Sequence, residues 1–270
     1  HCALVACATG FAILAPVSAS AQTTVTATWK KGNANWSDAK RWTDSLTGYG
    51  YPKNSTTALF NVNFARGTAT LTEAILINRL TMTGGTISGD FDLTVLGKST
   101  LSKATLNGAG VTLFGTGATT TQSGALTLGA GRTLENDGTY SWASTLALRS
   151  GATFLNTGAV TSAGSSRTAT GADATAQFIN AGTFIKTGTG TTTFNTLQFV
   201  NRDSGTVDVQ AGTLSIAGGG SSAGNFITST GTGTVAFRGN YTLDGGTVST
   251  YKVTFSGTGN TLATGASLSG

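Results

Sequence analysis

The sequence predicts an all-β chain wound as a solenoid, and three observations carry that expectation. A short motif recurs at nearly constant spacing, the polar residues are mostly uncharged and β-compatible, and no apolar stripe of helical period is sustained. The motif is an apolar residue, Asn two places on, then Gly followed by a small residue and another apolar one. It is clearest in "QFINAGTFIK" (177–186) and "TFLNTGAVTS" (153–162), and looser in "TLENDGTYSW" (133–142) and "QFVNRDSGTV" (198–207). A catalytic motif usually occurs once, whereas a structural module repeats.

Only 10% of the 270 residues are charged, against about 25% in an ordinary globular domain. Thr outnumbers even the 39 Gly, and Ser and Asn fill most other polar positions, so solubility rests on short side chains that suit a pleated surface. The formal net charge is +5, yet the 16 Lys and Arg are scattered, adjacent only at Lys30-Lys31 and Lys40-Arg41. No basic stripe is visible along the chain, so nucleic acid is not an expected partner.

The first element is "HCALVACATGFAILAPVSASAQ": an apolar run from Ala3 to Ala15, a break at Pro16, and Ala19-Ser20-Ala21 before Gln22. This small-x-small pattern reads residues 1–21 as a signal peptide whose own start is missing. "LVAC" also fits a lipoprotein box at Cys7, but the run stays apolar beyond Cys7 where a polar tether is expected, which favours cleavage after Ala21. His1, Cys2 and Cys7 are the only residues of their types. The mature chain would then have no disulfide, thiol nucleophile, imidazole base or His/Cys zinc ligand. Beyond residue 21 no apolar stretch approaches the roughly 18 residues of a membrane helix, so membrane attachment would come only through segments outside this sequence.

Residues 22–64 form the second element, a Trp-rich N-terminal cap. Trp29, Trp36 and Trp42 fall here with Tyr49, Tyr51, Pro52 and Phe60. Large aromatics suit the closing of a narrow apolar core whose open strand edges would otherwise template aggregation. The alternative is a glycan contact, with the three indoles stacking on sugar rings. The cap is favoured because the repeat begins here.

The third element, residues 65–270, is the solenoid. Asn136, Asn156, Asn180 and Asn201 are separated by 20, 24 and 21 residues, the length of one coil of two or three short strands. Residues i and i+2 of an extended segment share a face, so Phe154 with Asn156, Phe178 with Asn180, and Phe199 with Asn201 turn inward together. A buried amide without partners costs about 1–3 kcal/mol. It becomes tolerable when each coil sets its Asn on the last, about 4.8 Å away, and amide bonds amide in a ladder. Asn tolerates left-handed backbone, and Gly two places later suits a corner. The expected rod has nine or ten coils and a length of about 45 Å. "NTLATGASLSG" stops in mid-pattern, so further coils are expected.

Glycan hydrolysis would need paired acids, and lyase chemistry Ca²⁺ with a basic residue. Among the 11 acids, the pairs considered are Asp90 with Asp92 in "GDFD" and Asp203 with Asp208. The first pair would share a face and suit Ca²⁺, but no third acid lies within a turn of chain, so a solvated corner is the preferred reading. Arg202 beside Asp203 is the other conceivable site, with Arg79, Arg149, Arg167 and Arg238 as cations on other coils. Ser and Thr abound, but a hydroxyl nucleophile needs a base. No catalytic residue, metal site or cofactor is therefore expected.

"FINAGTFIKTGTGTTTFNTLQFVNRDSGTVDVQAGTLSIAGGG" (178–220) resembles the Gly/Thr/Asn-rich repeats of large bacterial surface proteins, autotransporter passengers and filamentous-haemagglutinin-like adhesins among them. The run Trp29, Trp36, Trp42, Pro52, Ala58-x-Phe60 is similar to the Trp-rich unit that opens many autotransporter-type repeat regions. The resemblance implies a right-handed parallel β-helix, secreted to the outer surface of a Gram-negative-type cell. No translocator barrel or sorting helix is visible, which leaves the anchor open. The expected role is a non-catalytic stalk, passenger or adhesin making weak multivalent contacts with extracellular glycans, matrix or neighbouring cells. Two alternatives stand beside it: a glycan-binding module on the Trp cluster, and a polysaccharide-active enzyme, which would need several of Asp90, Asp92, Asp203, Asp208 and Asp244 in one groove.

Overall fold

Alternating segments make the walls of the molecule: Thr153–Asn156 and Gln177–Asn180 each bury their second and fourth residues and leave the first and third half-exposed. The computed structural model describes residues 22–44 and 48–269, so the signal peptide expected over 1–21, with His1, Cys2 and Cys7, lies outside the described residues. Short strands stack in parallel into three sheets of 13, 11 and 10 strands, numbered I, II and III here. The chain visits them in rotation. Ala58–Phe64 belongs to sheet I, Thr68–Thr70 to II, Ile75–Ile77 to III, and Arg79–Met82 returns to I one layer on. About ten such turns form the all-β solenoid that the repeat predicts. Inward residues from all three sheets meet in one apolar column running from Val25 to Val248.

The first end is closed by strand pairing as well as by rings. Thr23–Trp29 pairs in parallel with Ala58–Phe64 on one side and antiparallel with Trp42–Asp44 on the other, which covers the edge of sheet I. At sheet III, Asn54 lies over the first strand: its N–H donates to the Leu76 carbonyl at 2.7 Å, and its Oδ1 accepts from the Phe60 N–H at 2.7 Å. Residues 23–29, 33–35 and 58–64 therefore already belong to the sheets, and the stacking starts before residue 65. The reason is that an end strand is best protected by another strand satisfying its backbone groups.

Candidate functional site

Backbone register places each Asn of the motif on the next: Asn136, Asn156, Asn180 and Asn201 are successive partners in sheet III. All four are buried. The amide of Asn136 donates to Asn156 Oδ1 at 2.9 Å, Asn156 to Asn180 at 2.8 Å, and Asn180 to Asn201 at 2.9 Å, before Ser222 Oγ takes over at 3.1 Å. Two residues earlier, Phe154, Phe178 and Phe199 stack at centroid separations of 4.7 and 5.6 Å with planes 10° and 15° apart. Ring on ring and amide on amide, the two columns fix coil on coil.

The corner itself differs from the expectation. Lys103 and Thr196 are the non-glycine residues with positive φ among those described, so the Asn residues end their strands in ordinary backbone and need no left-handed turn. The glycine two places on answers to space: a Cβ at Gly158 would lie 2.2 Å from the Gly138 carbonyl oxygen, and one at Gly182 2.2 Å from that of Gly158. What the corner demands is close approach of successive coils. The Asn amide also donates to the carbonyl two residues ahead and to a carbonyl of the next coil, as from Asn156 to Gly158 (3.3 Å) and Thr183 (3.0 Å).

The edge between sheets I and II uses the same device with other residues, which sequence reasoning missed. Gln122 Nε2 donates to the Gly124 carbonyl at 3.2 Å and the Thr145 carbonyl at 2.7 Å. Trp142 Nε1 reaches the Ser144 carbonyl, and Lys186 Nζ reaches those of Gly188 and Ala211. Gln122, Trp142, Ser162 and Lys186 are register partners on consecutive coils. Burial pushes the Lys186 ammonium pKa down, and nearby Arg167 adds to the effect. Different donors fill one role, so no repeated letter marks it.

Arg132 is a further residue that the sequence left unremarked. Wholly buried, it donates to Thr112 Oγ1 (2.7 Å from Nη2) and to the carbonyls of Val111 (3.2 Å), Gly89 (3.1 Å) and Phe91 (3.3 Å), clamping three coils. Burial pushes its guanidinium down to about 10, against the opposing pull of Asp92 and Asp90. Those two carboxylates are occupied by structure: Asp90 Oδ1 accepts the Ala109 N–H at 2.9 Å and Asp92 Oδ1 that of Val111 at 2.8 Å.

The other acids lie elsewhere. Asp203 and Asp244 sit at the edge between sheets III and I, and Asp208 lies within a strand of sheet I. Asp208 is nearly buried; desolvation raises its pKa, but donors from the Ser229 N–H, the Ser229 hydroxyl and Gln210 outweigh that and hold it below the usual range. Among the described residues no three His, Cys, Asp or Glu side chains gather as a metal site. Arg202 and Asp203, neighbours in sequence, form no ion pair within 4 Å; those described are Arg41 with Asp38 and Lys53 with Glu73.

Trp29, Trp36 and Trp42 are 4%, 0% and 4% exposed. They pack edge to face, Trp29 on Trp42 at 4.9 Å and Trp36 on Trp42 at 4.7 Å, while Trp29 stacks on Phe64 at 5.5 Å. Their N–H groups are spent on the carbonyls of Gly32, Pro52 and Trp36 respectively. None offers a ring face to a sugar. The outward faces are hydroxyl-lined instead: Thr81, Thr100, Thr121, Ser141 and Thr161 form one column on sheet I, and Thr68, Thr86, Thr105 and Thr127 one on sheet II. The second column borders a shallow groove with Asn107 and Arg149. Comparison with protein-family models, with curated proteins and with solved structures gives no match to this chain.

Proposed function

We propose that this chain is the rigid shaft of an exported cell-surface protein, of the autotransporter-passenger or filamentous-haemagglutinin-like kind, and that it is adhesive and non-catalytic. The observation that carries the reading is the unbroken register of sheet I from Trp42–Asp44 through every coil to Ser267–Leu268. Such a column gives length without a hinge, and each coil repeats a small set of outward hydroxyls. Weak hydrogen bonds to glycans, matrix or sister cells then add through multivalency, with no deep pocket required. Burial of the indoles weighs against the Trp-platform alternative, and the spread of the candidate acids weighs against the hydrolase alternative, with Asp90 and Asp92 between sheets II and III and Asp203 and Asp244 between III and I.

An antibody raised against the chain tests the reading on cells that produce it naturally. Labelling of intact cells is expected; labelling only after lysis would end the surface assignment. Beads coated with the full chain should also adhere to cell layers with a steep dependence on coating density, as multivalent contact requires.

A further inference from the structure

Register gathers cations that the linear sequence scatters. Asn33, Thr68, Thr86 and Thr105 are successive partners in sheet II, so two residues earlier Lys31, Arg66, Gly84 and Lys103 occupy successive coils along the edge between sheets I and II. Close approach there is direct: a Cβ on Gly85 would lie 3.0 Å from Arg66 Cα. Along the opposite border of sheet I, Arg79 and Lys98 are neighbours, because Leu80 partners Ser99 and the Gly97 N–H donates to the Asn78 carbonyl at 2.6 Å. Between the borders runs the outward column Asn63, Thr81 and Thr100.

Lys31, Arg66, Arg79, Lys98 and Lys103 are all exposed, and none forms an ion pair with a described carboxylate. Of the sheet I strands here, Ala58–Phe64, Arg79–Met82 and Ser99–Leu101 contain no acid, while the end strand Trp42–Asp44, paired with Thr23–Trp29 ahead of Lys31, carries Asp44. Glu73, Asp90 and Asp92 of the same coils sit on the far edge, between sheets II and III. Like charges on adjacent strands, about 4.8 Å apart, repel, so the arrangement gives the fold nothing.

We propose that this face binds a linear polyanionic glycan, its sulfate or carboxylate groups on the two cationic borders and its hydroxyls on the Asn/Thr strip. Nucleic acid fits less well because the strip carries no aromatic ring on which bases would stack. A bilayer fits less well because the strip of Asn63, Thr81 and Thr100 carries no large apolar side chain to insert, the exposed Leu76 and Leu96 lying beyond the Arg79 and Lys98 border toward sheet III. The inference deepens the adhesive reading and rests on it for its biological setting, whereas the binding itself belongs to the five cations.

Titration of the full chain with dextran sulfate, neutral dextran and single-stranded DNA, between about 50 and 200 mM salt, is the test. Dextran sulfate should bind and neutral dextran should not. Arg79→Gln with Lys98→Gln should lower the slope of log affinity against log salt by about 2, one per cation removed. The charge-matched pair Arg238→Gln with Lys252→Gln, on late coils, should leave it unchanged. Equal losses from both pairs, binding of neutral dextran, or tighter binding of DNA would each overturn the proposal. These replacements are at exposed positions, so unchanged thermal unfolding is expected. Antibody labelling of intact cells reports on surface location separately, so the two readings fail independently.

Discussion

Replacing Asn156 by Leu keeps the branched shape, at a somewhat greater volume, and removes the centre of the amide ladder. Asn156 accepts from Asn136 and donates to Asn180 Oδ1, Gly158 O and Thr183 O. Some of these partners have others: Gly158 O keeps the Thr183 N–H at 2.8 Å, and Asn136 Nδ2 keeps the carbonyls of Gly138 and Ala159, both at 3.2 Å. Asn180 Oδ1 is left buried with no donor, which costs about 1–3 kcal/mol, and with the lost bonds themselves the total is about 3–5 kcal/mol. Asn136→Leu should behave differently. It strands Asn156 Oδ1 but discards Asn136 Oδ1, already without a donor because the residue on the coil before is Phe114. The number of orphaned oxygens does not change, so its cost should be smaller by about 1–3 kcal/mol. Urea unfolding followed by circular dichroism measures both, and hydrogen exchange at Ala181–Thr183 shows whether the loss is local, since stacked coils need not unfold as one unit. If Asn136→Leu proved as damaging as Asn156→Leu, the ladder reasoning would be refuted.

Three further outcomes follow from the buried polar groups and the tight corners. Tyr140 donates to Gln122 Oε1 at 3.0 Å in the core, and burial raises its phenol well above the ordinary value. A raised folded-state pKa means stability that is present below about pH 10 and lost as pH climbs. Tyr140→Phe should therefore cost about 1–3 kcal/mol at neutral pH through the orphaned Gln122 oxygen, with the gap to wild type narrowing above about pH 10; urea midpoints across pH would show a constant gap if this is wrong. Arg132→Lys should destabilise by at least about 2 kcal/mol, because a compact ammonium cannot span the donors of the planar fork; an unchanged melting temperature would contradict the clamp. Gly233→Ala would set a Cβ 1.7 Å from the Val209 carbonyl oxygen, whereas at Gly115 the nearest atom is 3.7 Å away, so the first should cost about 1–3 kcal/mol more in the same assay.

What was legible in the sequence was whatever repeats its own letters. Phe154, Phe178 and Phe199 over Asn156, Asn180 and Asn201 recur as pairs, and a column of identical residues is its own signal. The opposite edge does the same work with Gln122, Trp142 and Lys186, chemically unlike donors that share only reach and a free N–H, so nothing in the spelling announces them. The Trp residues were readable as a group, while the choice between plug and platform depended on which way the rings face. The cations read as scattered along the chain for a related reason. Arg66 and Lys103 are 37 positions apart in the chain, yet only one coil separates them, because pairing, which no single stretch contains, decides what lies beside what.

The separations of 20, 24 and 21 residues show what the fold holds constant. In the long coil the strand Arg167–Gly171 has five residues where Leu146–Leu148 has three, and the turns on either side of it each gain one. All the extra length falls on sheet II and its two edges. Register in the other sheets is undisturbed: Phe154 still meets Phe178 in III, and Val160 still meets Phe184 in I. Lengthening a surface turn costs little entropy, whereas shifting a strand by one residue would turn Phe outward and break the amide column. From Asn136 to Thr183 the turn between sheets III and I stays at two residues, so in these coils length varies on sheet II while the amide column is kept. The proposed polyanion platform lies across sheet I in the first coils, where the turn from sheet III grows from one residue between Ile77 and Arg79 to three between Val95 and Ser99, so its cations owe their coil spacing to strand pairing within sheet I and not to a fixed turn.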